Sequence, residues 1–137
     1  MMISTRGRYA LRMMLDLAMN QHDGFVSLKD ISQRQDISKK YLEQLVPDLC
    51  RAGLLLTARG SLGGYRLSRD ASEYTVGEII NIAEKDLAPV ACLQESSEPC
   101  PHCDSCMTLP VWLGLKKCAD QYLGSITLQD VLMGNIK

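Results

Sequence analysis

Four cysteines fall within fifteen residues, in the stretch CLQESSEPCPHCDSC from Cys92 to Cys106, with the spacing C-x7-C-x2-C-x2-C. Thiolate sulfur is the ligand that soft metal ions and iron–sulfur centres prefer. The residues between the cysteines are mostly polar, as is typical of a loop. The stretch therefore predicts a loop that holds a metal ion or an iron–sulfur centre.

Other interpretations of these cysteines stay open. The C-x2-C-x2-C portion matches the front of a bacterial ferredoxin motif without its C-x3-C-P continuation, so a small iron–sulfur electron-transfer protein is one alternative. Four thiolates also suit tetrahedral zinc, and the thiols can equally remain reduced and free. An enzyme is not expected, because the chain lacks a Ser/His/Asp arrangement, a phosphate-cradling glycine loop and a paired carboxylate site.

The length and the charge distribution limit the class of protein. A chain of 137 residues suits one domain. Charges interrupt its first apolar run, and no run reaches the roughly 18 residues that span a bilayer. We therefore expect a cytoplasmic protein without membrane contact, whose cysteines are thiols or ligands rather than disulfides.

Residues 1–70 carry 11 Lys and Arg against 7 Asp and Glu, whereas residues 71–137 carry 4 against 9, which indicates a polyanionic partner for the first half.

The first amphipathic helix is predicted over residues 8–19, where apolar residues recur at helical spacing. Arg6, Arg8 and Arg12 lie at its start. Arginines in this position are able to grip a phosphate backbone, and they are equally compatible with a solvated helix face.

Two further helices follow, joined by a connection of about three residues, which is typical of a helix-turn-helix motif. Ser27 begins the first of them, and Ser38 is a good N-cap for the second and longer one. Gly53 ends the longer helix. Pro47 lies inside it and is expected to kink or loosen it.

A β-hairpin is predicted over residues 54–68, where LLLTA and YRLS are separated by the turn sequence RGSLGG. A hairpin directly after a helix-turn-helix motif is typical of a winged helix. Its tip carries Arg59 beside glycines that let the backbone approach phosphate closely. Arginine is attracted to the negative potential of a narrow minor groove.

The C-terminal part is predicted to be helical on both sides of the cysteine loop. Thr75 and Glu78 predict a capping box at the start of a helix over 75–84. After the loop, a longer helix begins at Thr108, and Thr127 begins a last short helix. The apolar residues of the longer helix recur at alternating spacings of 3 and 4, namely Trp112, Leu115, Ala119, Tyr122 and Ile126. Such a heptad seam predicts packing against a partner subunit or against the winged domain.

The fold expected from these elements is mainly α with a small β-hairpin wing: a winged helix-turn-helix plus a long C-terminal dimerisation helix. We divide the chain into a DNA-binding domain over 1–84, a cysteine cluster-binding loop over 85–107, and a dimerisation helix with a C-terminal helix over 108–137.

Several segments together resemble the winged-helix transcriptional regulators of the IscR, NsrR and CymR type. They are GRYALRMMLDLA, ISKKYLEQL, AGLLLTARGSLGGYRLSRDA and VGEII. The resemblance covers nearly the whole chain, and its most specific part is YLEQL followed by RGxxGGYxL. The cysteine loop makes the chain most similar to the IscR-like members, because CymR-like members lack the cysteine set.

The resemblance implies a homodimeric transcriptional regulator, each subunit of which reads half of an imperfect palindrome in double-stranded DNA. The helix over 108–123 would form the dimer seam. The DNA-binding positions implied by the resemblance are Ser38, Lys39, Lys40, Tyr41, Glu43 and Gln44 in the recognition helix, and Arg59 and Gly60 in the wing. Chemically, glutamine pairs with adenine and glutamate with cytosine in the major groove.

The resemblance also implies an iron–sulfur cluster held by Cys92, Cys100 and Cys106, with [2Fe–2S] favoured over [4Fe–4S]. IscR-like proteins take a fourth ligand from a histidine three residues past the last cysteine, which here is Leu109. NsrR-like proteins use an aspartate of the partner subunit at a position occupied here by Arg8. Neither side chain is able to ligate iron. The chemistry then favours Cys103 as the fourth ligand, with His102 second.

The function expected is DNA binding modulated by an iron–sulfur cluster, with control of iron–sulfur cluster biogenesis genes. The alternative within the same family is a repressor that senses nitric oxide or redox stress.

Overall fold

The computed structural model describes residues 1–20, 22 and 24–136. Gln21 and Asp23 of the predicted 1–84 unit, and Lys137 at the end of the predicted 108–137 segment, lie outside the described residues. The helices and strands run α1 Thr5–Asn20, α2 Leu28–Gln35, α3 Lys39–Arg51, β1 Leu55–Ala58, β2 Gly64–Leu67, α4 Val76–Glu84, α5 Leu109–Ser125 and α6 Leu128–Met133. The predicted fold class, mainly helical with a two-stranded antiparallel hairpin, is confirmed.

The helix-turn-helix is built from α2 and α3, and local side chains begin both helices. The Ser27 hydroxyl accepts from the Asp30 N–H at 3.2 Å, and the Ser38 hydroxyl accepts from the Tyr41 N–H at 3.1 Å. These bonds satisfy backbone donors that a helix start leaves without a partner. The helix α3 continues through Pro47, which lies on the exposed side of α3, where water can hydrate the carbonyl group that lost its donor.

The wing is the antiparallel pair β1–β2, with Leu55 opposite Leu67 and Ala58 opposite Gly64. Val26 joins the hairpin by a bridge to Tyr65, whose backbone groups exchange two hydrogen bonds of 2.8 Å with it. Gly64 has a φ of +151°, and a Cβ at this position would collide with the Val26 carbonyl. Glycine is therefore required where the wing is held against the segment that precedes α2.

The centre of the core is α1, whose buried side chains are Ala10, Met13, Met14 and Leu17. The carboxylate of Asp16 is also buried, and both of its oxygens accept hydrogen bonds from α2. Arg34 donates to it at 3.0 Å and 2.8 Å, and Gln35 donates at 3.0 Å. A buried charge needs such a set of partners, and this one fixes α2 against α1.

The start of α4 differs in part from the predicted capping box. Thr75 accepts from the Glu78 N–H at 3.0 Å, as expected. The carboxylate of Glu78 forms a salt bridge to Arg69 at 2.8 Å. An ion pair with Arg69 thus connects the end of the wing to α4.

The long helix α5 has no fully buried residue, whereas the chain that follows it is fixed to the winged unit. Val76 N–H donates to the Ile126 carbonyl at 2.8 Å, Leu128 N–H donates to the Tyr74 carbonyl at 3.0 Å, and the Leu128 side chain is fully buried. Ile126 packs with Leu123 against a small cluster that includes Val76. Ile126, predicted as part of the heptad seam, therefore contacts the protein's own core.

No helix within the described ranges is long and apolar enough to cross a membrane. The division of the chain at residues 84/85 and 107/108 stays a prediction.

Tyr74 closes the base of the wing. Its hydroxyl donates to the Leu54 carbonyl at 2.7 Å and accepts from the N–H groups of Ser68 at 2.9 Å and Arg69 at 3.1 Å. We predict that Tyr74→Phe lowers the free energy of unfolding by about 1–3 kcal/mol, because it removes three hydrogen bonds at the base of the wing and leaves the Arg69 N–H without its acceptor. Chemical denaturation measures the change. Tyr9→Phe is the control, since its ring contact with Tyr41 is retained, and an equal loss in both variants would contradict the role of the Tyr74 hydroxyl.

Candidate nucleic-acid interface and cysteine site

The N-terminal half of α3 has one face in the core and one in solvent. Leu42, Leu45 and Leu49 are buried. The opposite face exposes polar side chains, namely Ser38, Lys39, Lys40, Glu43 and Gln44. Their spacing follows from the helical period, which turns every third or fourth residue to the same side. These side chains offer hydrogen-bond donors and acceptors of the kind that read base edges in a major groove.

Tyr41 differs from the other predicted DNA-binding residues because it is half-buried. Its ring meets the ring of Tyr9 edge-on, at 5.3 Å between centroids and 75° between planes. The guanidinium of Arg12 lies 5.2 Å from the Tyr9 centroid. The edge-on contact with Tyr9 holds the Tyr41 ring from the α1 side.

Of the three arginines at the start of α1, two bind residues of other helices. Arg12 donates to the side chain and the carbonyl of Gln35. Arg6 forms an ion pair with Asp48 on α3. Arg8 is exposed and donates to Thr5 at 3.1 Å. Arg8 is thus the arginine of this group that is best placed for a phosphate contact.

The tip of the wing is a tight turn closed by a hydrogen bond from the Gly63 N–H to the Gly60 carbonyl at 3.0 Å. Gly60 has a φ of +100°, which favours glycine. Arg59 and Gly60 are both exposed, as a minor-groove contact requires. Leu62 is 93% exposed at the outermost point of the same turn.

The cysteine loop leaves α4 through an ordered turn. Lys85 has a left-handed φ of +69° and ends the helix. The carboxylate of Asp86 then accepts from the N–H groups of Ala88 at 2.8 Å and Glu95 at 2.9 Å. These bonds bracket Cys92 and set the start of the loop.

All four loop cysteines, Cys92, Cys100, Cys103 and Cys106, line one cavity of about 150 Å³. The rest of its lining is apolar: Leu93, Pro99 and the first residue of α5, Leu109. His102 is exposed and is not among the lining residues. The arrangement offers four sulfur donors at an apolar surface, which is the donor chemistry of a zinc or iron–sulfur site.

The thiol of Cys106 is hydrogen-bonded at the start of α5. A hydrogen bond with the Thr108 hydroxyl, together with the backbone N–H groups of Thr108 and Leu109, lowers the pKa of Cys106 below its usual value. A lowered pKa favours the thiolate, which is the ligating form. Across residues 1–20, 22 and 24–136, no three His, Cys, Asp or Glu side chains are close enough together to hold a metal ion. The four cysteines therefore share a cavity without converging on one point.

The fold and these two surfaces define the class of protein, which is a winged helix-turn-helix protein with a cysteine-rich loop before its long C-terminal helix. The profile of the Rrf2 family, described as an iron-dependent transcriptional regulator, matches residues 3–134. The chain belongs to the Rrf2 family. Transcriptional regulators of this family bind DNA and are not enzymes, which confirms the expectation that the chain is not an enzyme.

Individual relatives agree with the family. Protein rrf2 of Nitratidesulfovibrio vulgaris is 40% identical over 96% of this chain and 87% of its own length. Among solved structures, T. potens IscR has a TM-score of 0.77 at 38% identity, covering 98% of this chain and 88% of that one. CymR, the global cysteine regulator of B. subtilis, has a TM-score of 0.77 at 37% identity and covers 97% of both chains. The predicted resemblance to IscR- and CymR-type regulators is confirmed.

We predict that Arg59→Ala weakens binding to an operator selected from random duplexes by about 1–3 kcal/mol. The slope of log affinity against log salt concentration should also fall by about one in magnitude. The reason is the loss of one cation at the wing tip. Leu62→Ala is the control, because it alters the same turn and leaves the charge in place. An Arg59→Ala variant with unchanged affinity and salt dependence would contradict the wing assignment.

Proposed function

We propose that this protein is a homodimeric regulator whose operator binding is modulated by an iron–sulfur centre in the cysteine loop. The observation that carries the proposal is that four cysteines line one cavity between the end of α4 and the start of α5. A group bound there would tie the loop that follows α4 to the start of α5, the helix that we assign to the dimer. The family description as iron-dependent supports iron over zinc.

The ligands in this proposal are Cys92, Cys100 and Cys106, with Cys103 as the fourth. Cys103 lines the same cavity as the other three, which favours it over His102. The position that carries a histidine in IscR-like proteins is occupied by Leu109, which contributes only apolar surface. To ligate one iron–sulfur centre, the four thiols have to move closer to one another. Their loop lies at the surface, where it has room for this movement.

A bound iron–sulfur centre supplies a redox-active group that oxidants and nitric oxide attack. The [2Fe–2S] form is favoured over [4Fe–4S] by the similarity to IscR. We propose correspondingly that the genes controlled by this regulator are those of iron–sulfur cluster biogenesis.

DNA reading in this proposal uses α3 in the major groove and the wing tip in the minor groove. The exposed side chains of Glu43 and Gln44 are candidates to pair with cytosine and adenine. Lys39 and Lys40 lie beside them for phosphate contacts, and Arg59 and Gly60 approach the minor groove. Two subunits related by a two-fold axis read an imperfect palindrome, because operator symmetry mirrors that of the dimer.

The dimer seam in this proposal is the outer face of α5. Leu115 is 43% exposed and Tyr122 is 50% exposed. Val111, one turn before Leu115, adds further exposed apolar surface to the same face of the helix. A helix with this much uncovered apolar surface is stabilised by association with its copy, and a two-fold axis brings the same patch from each subunit together.

We predict that Leu115→Glu combined with Tyr122→Glu yields monomers that bind the operator weakly, because two carboxylates per subunit then face their copies. Light scattering measures the mass, and a titration measures operator affinity. Lys117→Glu combined with Gln121→Glu is the control, since it adds carboxylates away from the seam. If the first variant remains dimeric, α5 is not the interface.

We predict that Cys103→Ala loses iron on anaerobic isolation, whereas His102→Ala retains it. Cys103→Ala should then bind the operator as the iron-free wild type does, because the loop is no longer tied together. Iron content per chain and operator affinity are measured on the same samples. Retention of iron by Cys103→Ala would assign the fourth ligand elsewhere. Equal operator affinity of iron-loaded and iron-free wild type would refute modulation by the centre.

A further inference from the structure

Arg6 connects three helices through one guanidinium group. Its Nε donates to the Ala83 carbonyl in the last turn of α4 at 2.9 Å. Its Nη2 donates to the Gln44 carbonyl on α3 at 3.3 Å and forms the ion pair with the Asp48 carboxylate. Two acceptors thus belong to the helix assigned to DNA reading, and one belongs to the helix from which the cysteine loop departs.

The neighbouring residue on α4 fixes the helix that carries Arg6. Oε1 of Glu84 accepts from the N–H and the hydroxyl of Ser4, both at 2.7 Å, and from the Gly7 N–H at 3.0 Å. These bonds place a carboxylate at the N-terminus of α1, where the helix dipole favours negative charge. A Cβ on Gly7 would collide with the Glu84 side chain, so a glycine is needed for this approach. The start of α1 therefore moves with the end of α4.

The end of α4 is also the start of the cysteine loop. Asp86, two residues after Glu84, holds the backbone on both sides of Cys92 through Ala88 and Glu95. Short contacts thus connect the start of the loop to Ala83 and, through the Arg6 guanidinium, to the backbone at Gln44.

We infer that Arg6 is a positioning residue, which sets the orientation of the DNA-reading helix α3 according to the state of the cysteine loop. The inference rests on the proposed function. Arginine suits the role because its planar group spreads several donors over three nitrogens in a fixed arrangement, whereas the three donors of a lysine radiate from a single nitrogen. The pKa of Asp48 is lowered mainly by its hydrogen bond from Arg6, so the pair is charged at neutral pH.

The test measures the operator affinity of the full chain in its iron-loaded and iron-free forms. The ratio of these two affinities is compared between wild type and variants. We expect a wild-type ratio in the range of about 5–150-fold, typical of coupling between sites. Arg6→Gln should bring this ratio close to one while both forms still bind DNA. Arg6→Lys should retain only part of the ratio. Thermal denaturation is recorded for every variant, because a purely structural role would change the melting temperature and leave the ratio intact.

Arg51→Gln is the matched control. Arg51 is a second cation beside Asp48, at 3.4 Å, and its side chain is largely exposed. It extends from the same helix as Asp48 and does not bridge to α4, so its removal should leave the ratio unchanged. If Arg6→Gln fails to fold, Asp48→Asn removes the acceptor on α3 and should lower the ratio in the same way.

The outcomes separate the inference from the function on which it rests. A wild-type ratio of one overturns the proposed regulation and the role of Arg6 with it. A wild-type ratio that persists in both Arg6→Gln and Asp48→Asn overturns the role of Arg6 alone. A ratio lost equally in Arg51→Gln would also overturn it, because local charge rather than the bridge would then be responsible.

Discussion

The capping of α1 by the Glu84 carboxylate is the contact on which the relation between the two halves of the protein depends. Three donors from Ser4 and Gly7 converge on one oxygen of Glu84. Through this contact the central helix of the core is held at the end of α4, immediately before the cysteine loop. The helix-turn-helix packs against the same helix, with the Asp16–Arg34 pair fixing α2. The proposed DNA-reading surface and the cysteine loop are therefore both held in place by contacts to α1.

Features encoded by neighbouring residues could be predicted from the sequence. Ser27, Ser38 and Thr75 each begin a helix by accepting from a backbone N–H three residues later, and this short range makes the signal readable. The turn of the wing was likewise readable from its glycines. The contacts of Asp16, Tyr74 and Glu84 could not be predicted in this way. Glu84 meets Ser4 across 80 residues, and no local pattern marks either side chain for the other.

In the candidate site, too, the local feature could be predicted from the sequence and the long-range contact could not. The spacing of the cysteines indicated a common site, and the structure brings all four to one cavity. The ion pair between Arg6 and Asp48 was not predicted. In sequence, a basic residue at a helix start looks the same whether it contacts phosphate or a carboxylate from another helix. The fold alone carries less information about function, since CymR and IscR structures match this chain equally well. The proposed function therefore rests on the cysteine loop of this chain and not on the winged helix.

The central claim is that the cysteine loop holds an iron–sulfur centre. The most direct measurement is the absorption spectrum of wild-type protein isolated without oxygen, with iron, acid-labile sulfide and zinc counted per chain. The account predicts a coloured protein that contains iron and sulfide together and loses its colour in air or on chelation. A colourless protein with zinc, or one without metal after reconstitution with iron and sulfide, would contradict it.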